Sequence, residues 1–468
     1  MKIVFSLLLF LSFQSYAWSP PESFNSTYID LEDSIFSATI KGHYRDAEGH
    51  ISNTIVNDIL NDKNHLIKKE FSIPKYFKAS VEFWFRIYTQ YSSEQVVIHD
   101  KGNLKIVYNV IDFSELHNNQ SIHRFSKSKL QSHLSLEYTR RLKKVLKSMS
   151  NKNLSAMNEE EDDILNILRK SGQKISKYKS HRKKLFLSLA NNIRTQTGQR
   201  NKVYKGVVRS IAYMPYLKKQ IKNFRLPEEL LAIPFLESSF NPIAESKVAA
   251  RGIWQFMPYI SNLFMPKIKD NLDYRLNPVI ASLAAFHLLK ENKLILRRWD
   301  LAVTAYNSGP KHLKKAIKKL SRRRKKSRIG LDYILANYKH PHIGFASKNF
   351  YSEFLALVHV LAYKDLIYPL KGITPSFKFN DVENLKIYVS KCKLKPKRIF
   401  NILKKSSPDI KNLNQHFEHI GDNYPRGSLV ISDRILTKRK YHLLNDKTLK
   451  SSFPKSYSRT IRNIKCKS

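Results

Sequence analysis

Residues 226–242 read LPEELLAIPFLESSFNP, and the architecture of the chain follows largely from this segment. Pro227 suits the first position of a helix, and the two glutamates after it complement the positive end of the helix dipole. The residues that follow are apolar on every side, which is typical of a buried helix. Asn241-Pro242 is expected to end the helix. One carboxylate, that of Glu237, therefore emerges at the end of a buried helix.

The Glu237 carboxyl group can be interpreted in two ways. Burial disfavours the charged form of a carboxyl group and raises its pKa, which keeps a proton available near neutral pH. Such a group is a suitable general acid. Alternatively, Glu237 points into solvent at the end of its helix and carries no chemistry, which is the commoner situation for a glutamate considered alone.

Two later segments bring groups that suit a saccharide to the same region. Residues 249–258 read AARGIWQFMP, in which small residues allow the backbone to approach a ligand and Gln255 can both donate and accept hydrogen bonds. A helix is predicted over residues 299–307. Tyr306 and Asn307 then lie at its end, where they can face the same cleft.

Taken in order, three blocks resemble the lytic murein transglycosylases, specifically relatives of the membrane-bound D enzymes. The blocks are ESSFNP at 237–242, ARGIWQFMP at 250–258 and AYNSG at 305–309. The resemblance implies a lysozyme-like helical fold with a saccharide cleft. For the chain as a whole we expect a mainly α fold, α+β overall.

The resemblance also implies a reaction. The family cleaves the β-1,4 bond between N-acetylmuramic acid and N-acetylglucosamine in peptidoglycan without consuming water. Glu237 would be the single catalytic group: it protonates the glycosidic oxygen, then takes a proton from the muramyl C6 hydroxyl, which leaves a 1,6-anhydromuramyl end. No cofactor and no metal ion is expected. The expected substrate-binding residues are Ser246, Gln255, Met257, Tyr306, Asn307 and Glu353.

Two alternative functions stay open at this point. The first is a hydrolytic muramidase on the same fold, and such enzymes usually need two carboxyl groups. The nearest candidates for the second are Glu245 and Asp273, of which Asp273 is more easily a capping or salt-bridging residue. Without it, the 2-acetamido group of the substrate can stabilise the charge at C1. The second alternative is a catalytically inactive wall-binding protein.

The N-terminus predicts export. Lys2 is followed by a mostly apolar stretch over residues 3–13, too short to span a bilayer, and then by Ser15-Tyr16-Ala17. This pattern is typical of a secretory signal peptide over residues 1–17, cleaved after Ala17. The alternative is a buried N-terminal strand or helix. The expected location is the periplasm or the cell exterior.

The charge of the chain predicts polyanionic partners. Lysine and arginine number 83 against 38 acidic residues, which gives a net charge of +45. A surface with this charge attracts nucleic acid, anionic lipid headgroups and acidic wall polymers. Export disfavours nucleic acid, so the expected partners are peptidoglycan glycan strands, with electrostatic association to anionic envelope surfaces. The sequence leaves the oligomeric state open.

Composition and local patterns divide the chain into regions. The predicted regions are a mixed part (18–125, with a strand over 104–108), a helical part (126–225), the lysozyme-like domain (226–368) and an α+β part (369–468). In the last, the predicted order is a strand (385–389), a helix (398–404), a helix (409–414) and a strand (425–431). This order resembles a degenerate LysM module; the alternative is an extension packing on the catalytic domain. Cys392 and Cys466 could pair in an oxidising compartment.

Overall fold

The described part of the chain is mainly α-helical with small antiparallel sheets, so the predicted fold class is confirmed. The predicted signal peptide lies outside the described residues. None of the described helices combines the length and apolar character that a membrane span requires. The computed structural model describes residues 51–466, with gaps at 267–270, 323–324, 326–328, 339–344, 375–378, 380, 405–408 and 451–452.

Contacts divide the chain into two compact units. Among the described residues, the first unit comprises 51–63, 73–201 and 345–352, and the second comprises 64–72, 202–343 and 353–466.

The elements up to residue 223 are mostly helices. They are α1 (Asn53–Leu60), α2 (Lys78–Thr89), β1 (Gln95–Asp100), β2 (Val107–Asp112), α3 (Ser114–Asn118), α4 (Arg124–Met149), α5 (Glu159–Lys170), α6 (Lys179–Asn192), β3 (Ile193–Thr197), α7 (Arg200–Ser210) and α8 (Met214–Asn223). Short 3-10 helices lie at Lys69–Phe71, Lys75–Phe77 and Leu154–Ala156.

The first unit is built around an antiparallel sheet with β1 between β2 and β3. Val96 and Ile98 of β1 belong to an apolar core that also contains Leu146 of α4, Leu165 of α5 and Phe186 of α6. β3 lies within residues 126–225, for which the sequence predicts helices. It forms a strand because it pairs with β1 along its whole length.

The strand predicted over 104–108 is largely wrong, since β2 begins only at Val107. The Oδ1 atom of Asp100 accepts hydrogen bonds from the backbone N–H groups of Gly102 and Asn103, both at 2.7 Å. This interaction holds a turn at the start of the predicted strand. The side chain of one aspartate therefore overrides the strand preference of the residues after it.

The middle of the chain is a series of helices. They are α9 (Ile233–Ser238), α10 (Pro258–Phe264), α11 (Pro278–Leu296), α12 (Trp299–Ser308), α13 (Pro310–Leu320), α14 (Leu331–Asn337), α15 (Phe345–Ala362) and α16 (Lys364–Ile367), with 3-10 helices at Glu228–Ala232 and Tyr274–Leu276.

The central helix of the second unit is α11, which packs against α12. Its first nine residues are all buried, as a helix at the centre of a core requires. Asn277 caps it: the Oδ1 atom accepts from the N–H groups of Val279 and Ile280, both at 3.0 Å, and Pro278 takes the first helical position. The Asn-Pro pair thus begins this helix, since asparagine is a favoured N-cap residue and proline suits the first helical position.

The C-terminal part of the second unit contains β4 (Lys386–Ser390), α17 (Pro396–Leu403), β5 (Leu429–Ser432), β6 (Tyr441–Leu443), α18 (Asp446–Lys450) and α19 (Phe453–Asn463), with a 3-10 helix at Val382–Asn384. β4 lies between β5 and β6, antiparallel to both. Cys392 and Cys466 form a disulfide, with their Cα atoms 5.0 Å apart.

The helix predicted over 409–414 is wrong, because this segment forms turns. Asn414 explains the difference. Its side chain donates to the carbonyl oxygen of Ile431 and accepts from the N–H group of the same residue, both at 2.8 Å. A buried asparagine that pairs with the backbone of β5 fixes the segment in an irregular conformation. The predicted strand over 425–431 is shortened to β5, and the LysM assignment stays a prediction.

Candidate active site

Glu237 lies in the last turn of α9, at the end of a segment whose residues 230–235 are buried. The segment begins as a 3-10 helix and continues as α9, and Pro227 precedes its first residue instead of occupying that position. α9 ends at Ser238, before Asn241-Pro242 is reached. Glu237 itself is partly buried. The sequence pattern therefore leads to the expected geometry of a carboxylate at the end of a buried helix.

Burial raises the pKa of Glu237 from 4.5 to about 8. The cause is desolvation of the carboxylate, and no cation among the described residues pairs with it to offset that cost. A carboxyl group with this pKa holds its proton at neutral pH. It can therefore give a proton to an acceptor and take one back later, as a general acid and base must.

The backbone after Glu237 is strained and held from outside. Ser239 (φ 49°) and Phe240 (φ 54°) adopt left-handed conformations, which cost a residue with a side chain about 1–2 kcal/mol each. The guanidinium group of Arg209 on α7 donates to the carbonyl oxygens of both residues, at 2.5 and 3.1 Å. A Cβ on Gly206 would lie 2.5 Å from the Ser239 oxygen, so α7 approaches this turn closely. These contacts hold the turn that follows Glu237 against α7.

Tyr306, near the end of α12, interacts electrostatically with Glu237. Its hydroxyl group donates to the carbonyl oxygen of Trp254 at 2.6 Å, and its ring packs near the rings of Trp254 and Phe256. Burial raises the pKa of Tyr306 well above its usual range, and the charge of Glu237 raises it further. Tyr306 therefore stays a neutral phenol beside the acidic group.

Loop 244–257, which lies within the segment between α9 and α10, carries three of the predicted substrate-binding residues. The hydroxyl of Ser246 accepts from the N–H groups of Val248 (3.3 Å) and Ala250 (2.9 Å), so it closes a turn within the loop. Gln255 has a left-handed backbone (φ 46°), and its side-chain nitrogen donates to the Gly252 oxygen at 2.9 Å. Because the nitrogen is bound within the loop, the amide oxygen of Gln255 is the atom left for a ligand.

The two carboxylates considered as a second catalytic group are both engaged in ion pairs. Asp273 is buried and binds Arg275 at 2.7 Å and Arg251 at 3.3 Å. Glu245 binds Arg251 through both of its oxygens, at 3.0 and 3.1 Å. Arg275 also donates to the carbonyl oxygen of Phe256 at 3.0 Å. These carboxylates hold loop 244–257 in shape.

The remaining predicted site residues differ in their surroundings. Met257 is partly buried and precedes the first residue of α10, and Asn307 is exposed near the end of α12. Glu353 is partly buried on α15. The roles of these residues in substrate binding stay predictions.

Sequence reasoning missed several residues that shape the site. Arg209 and Gly206 support the turn after Glu237 from another helix, and Arg275 binds the loop backbone. Ser282 on α11 accepts from the indole N–H of Trp254 at 2.8 Å, which fixes the residue that binds Tyr306. Only the contacts of Arg275 have a local signal in the sequence, namely an aspartate two positions before the arginine in Asp273-Tyr274-Arg275.

Comparison with known proteins points to one family for the centre of the chain. Residues 214–329 match the family model described as transglycosylase SLT domain. This range contains Glu237, loop 244–257 and Tyr306.

The relatives cover only part of the chain. It is 38% identical over 122 residues to "Membrane-bound lytic murein transglycosylase D" from two strains of Escherichia coli, K12 and the O6:H1 strain CFT073. It is 31% identical over 110 residues to a "Putative tributyltin chloride resistance protein" from Alteromonas sp. strain M-1. The matches cover 25% and 23% of this chain, and 27% and 53% of those relatives. The resemblance to the lytic transglycosylases is thereby confirmed, and the chain spans about a quarter of the length of the E. coli relatives it matches.

Proposed function

We propose that this protein is a lytic transglycosylase of peptidoglycan, with Glu237 as its single catalytic acid and base. The bond cleaved is the β-1,4 linkage between N-acetylmuramic acid and N-acetylglucosamine. The observation that carries the proposal is a desolvated carboxyl group with a pKa of about 8 at the end of a buried helix, beside a neutral tyrosine. The match of residues 214–329 to the SLT domain supports the substrate class.

The first half of the reaction breaks the glycosidic bond. The Glu237 carboxyl group gives its proton to the oxygen that bridges the two sugars. The bond between that oxygen and C1 of the muramyl residue breaks, and the N-acetylglucosamine side leaves with a free 4-hydroxyl group. The carbonyl oxygen of the muramyl 2-acetamido group bonds to C1 and takes up the developing positive charge.

The second half closes the anhydro ring. The Glu237 carboxylate removes the proton from the muramyl C6 hydroxyl, and O6 attacks C1. The bond from the acetamido oxygen to C1 breaks as the ring forms. Glu237 returns to its protonated form, and no water is consumed.

The ion pairs of Asp273 and Glu245 support this route over hydrolysis with two carboxyl groups. Arg275 and Arg251 hold Asp273, and Arg251 holds Glu245. Carboxylate oxygens that are bound by guanidinium groups in this way are less available to attack C1 or to take a proton from water. The acetamido group of the substrate then provides the charge stabilisation that a second carboxylate provides elsewhere.

The proposal includes an exported protein whose net charge of +45 assists binding to anionic walls and envelope surfaces. The mature chain is expected to begin at Trp18, which N-terminal sequencing of the periplasmic protein checks. Binding to isolated sacculi should weaken as salt rises, because screening shortens the range of the attraction. Binding that does not change with salt would show that the net charge does not contribute to wall binding.

The decisive experiment is mass spectrometry of the products released from purified sacculi. The wild-type protein should release muropeptides that are one water lighter than hydrolysed ones. Glu237→Gln should lower the release by at least about 10²–10⁴-fold while sacculus binding is retained. The matched control is Glu228→Gln, which removes an exposed ion pair with Lys218 at the start of the same segment and should keep full activity.

The rival functions predict different results in this experiment. Products with free reducing ends from the wild-type protein would identify a hydrolytic muramidase. Binding without release of any product by the wild-type protein would identify an inactive wall-binding protein. Equal activity of Glu237→Gln and the wild-type protein would refute the role of Glu237.

A further inference from the structure

The C-terminal part of the chain pairs directly with the strand-like segment before α11. The N–H group of Asp273 donates to the carbonyl oxygen of His416, and the N–H group of Glu418 donates to the carbonyl oxygen of Asn271, both at 3.0 Å. Leu272 and Phe417 form an antiparallel bridge between these two bonds. The pairing joins the C-terminal part to the residues that anchor loop 244–257.

His416 anchors the same contact through the cap of α11. Its Nδ1 atom lies 2.8 Å from the side-chain nitrogen of Asn277, and its Nε2 atom lies 2.9 Å from the carbonyl oxygen of Leu429. Nδ1 therefore accepts and Nε2 donates, so the ring is neutral. Burial lowers the pKa of His416 to about 4, in agreement with these roles. One C-terminal histidine thus holds the asparagine that begins the central helix of the second unit.

Glu418 extends the contact to loop 244–257. Its Oε1 atom lies 2.7 Å from Nη1 of Arg251, a residue within that loop. The same guanidinium group binds Glu245 and Asp273, so Arg251 joins the loop, the segment before α11 and the C-terminal part. Arg251 is 27% exposed and Glu418 30% exposed at their side chains, so water screens the pair only in part.

We propose that Glu418 is a positioning residue for the saccharide site: through Arg251 it holds loop 244–257, and with it Gln255, in the conformation that receives the glycan. The C-terminal part then completes the site, in addition to any glycan binding of its own. The expected effect of Glu418 on catalysis rests on the proposed transglycosylase function. Its expected effect on the conformation of loop 244–257 does not depend on that function.

The test compares two variants that each weaken a side-chain contact made by the C-terminal part. Glu418→Gln removes the charge that pairs with Arg251 of loop 244–257, so at most a neutral hydrogen bond remains. Asp422→Asn, the matched control, weakens an exposed bond at 2.8 Å from the side chain of Asn271 and does not touch loop 244–257. Both variants are made in the full-length protein. Both should unfold at the same temperature as the wild-type protein.

Two measurements separate positioning from general stability. Hydrogen–deuterium exchange should quicken about two- to fivefold within loop 244–257 in Glu418→Gln and stay unchanged in Asp422→Asn, as expected for loss of a partly exposed ion pair. On sacculi, Glu418→Gln should raise the half-saturating substrate concentration by a similar factor and leave the maximal rate within twofold. Unchanged loop exchange in Glu418→Gln, or an equal change in Asp422→Asn, would overturn the proposal.

The exchange measurement keeps this inference separate from the proposed function. If the wild-type protein releases no product from sacculi, the transglycosylase function fails. Faster loop exchange in Glu418→Gln alone still supports Glu418 as the residue that holds the loop.

Discussion

The hydroxyl group of Tyr306 donates to the carbonyl oxygen of Trp254 at 2.6 Å, and this bond joins the end of α12 to loop 244–257 beside Glu237. Trp254 is itself fixed by its indole N–H bond to Ser282 on α11. Three elements distant in sequence are therefore joined through Trp254. The position of Tyr306 relative to the acidic group follows from this network and not from the conformation of α12 alone.

Tyr306→Phe should lower both activity and stability. The variant keeps the ring and loses one hydrogen bond, worth about 1 kcal/mol in unfolding free energy. A similar loss of transition-state stabilisation, about 1 kcal/mol, lowers the rate about fivefold. Urea unfolding and product release from sacculi measure the two effects. The control is Tyr178→Phe at an exposed position, which should change neither. A wild-type rate in Tyr306→Phe would show that the bond to Trp254 has no part in the reaction.

Gly252→Ala should disrupt loop 244–257, because its backbone is left-handed (φ 77°) and a Cβ would overlap the carbonyl oxygen of Arg275. Gly172→Ala is the matched control: it has the same φ of 77° and nothing within 4 Å of the added carbon. The control should lose about 1 kcal/mol of unfolding free energy from the backbone strain alone. Gly252→Ala should lose about 1–3 kcal/mol more from overpacking. Equal losses in urea unfolding would mean that the loop adapts to the added carbon.

The elements that the sequence predicts well are those defined by local patterns. The buried helix that carries Glu237 in its last turn and the helix that carries Tyr306 each follow from residues within a few positions of one another. Apolar periodicity, Asn-Pro pairs and capping residues act over that range. The places of Glu237 and Tyr306 in the fold are therefore predictable, since both lie near the ends of such elements, whereas the roles of the site residues stay predictions.

The features that the sequence does not predict depend on contacts between distant residues. Arg209 binds the turn after Glu237 from a different helix, and Asn414 turns a predicted helix into an irregular segment by pairing with Ile431. Glu418 and Arg251 lie 167 positions apart. No local pattern encodes such pairings, because the tertiary contact supplies the free energy that overrides local preference.

Removal of the Cys392–Cys466 disulfide should destabilise the protein. The bond closes a loop of 74 positions, which corresponds to about 4 kcal/mol in the chain-entropy account. The double variant Cys392→Ser/Cys466→Ser should therefore unfold at a lower temperature than the oxidised protein. Dithiothreitol should lower the unfolding temperature of the wild-type protein to a similar value and leave that of the double variant unchanged. A wild-type protein that is insensitive to the reductant, with the bond shown by mass spectrometry to be reduced, would contradict the expected stabilisation.

The raised pKa of Glu237 predicts a pH dependence of both stability and activity. The folded protein holds the proton up to about pH 8, whereas the unfolded chain releases it near 4.5, so the folded state binds more protons between these values. Stability from this group is therefore present at low pH and is lost as pH rises from about 4.5 to about 8.

Glu237→Gln should remove this loss, because the amide has no charge to desolvate. Relative to the wild-type protein, the variant should gain at least about 1 kcal/mol of unfolding free energy at pH 9 and gain nothing at pH 4, since each unit of pKa shift corresponds to about 1.4 kcal/mol. Urea unfolding of both proteins at the two pH values measures the difference. Product release by the wild-type protein should fall as pH rises through about 8, where the general acid loses its proton. Parallel stability curves for the two proteins would show that Glu237 ionises in the folded state as it does in water, and the account of its acidity would be wrong.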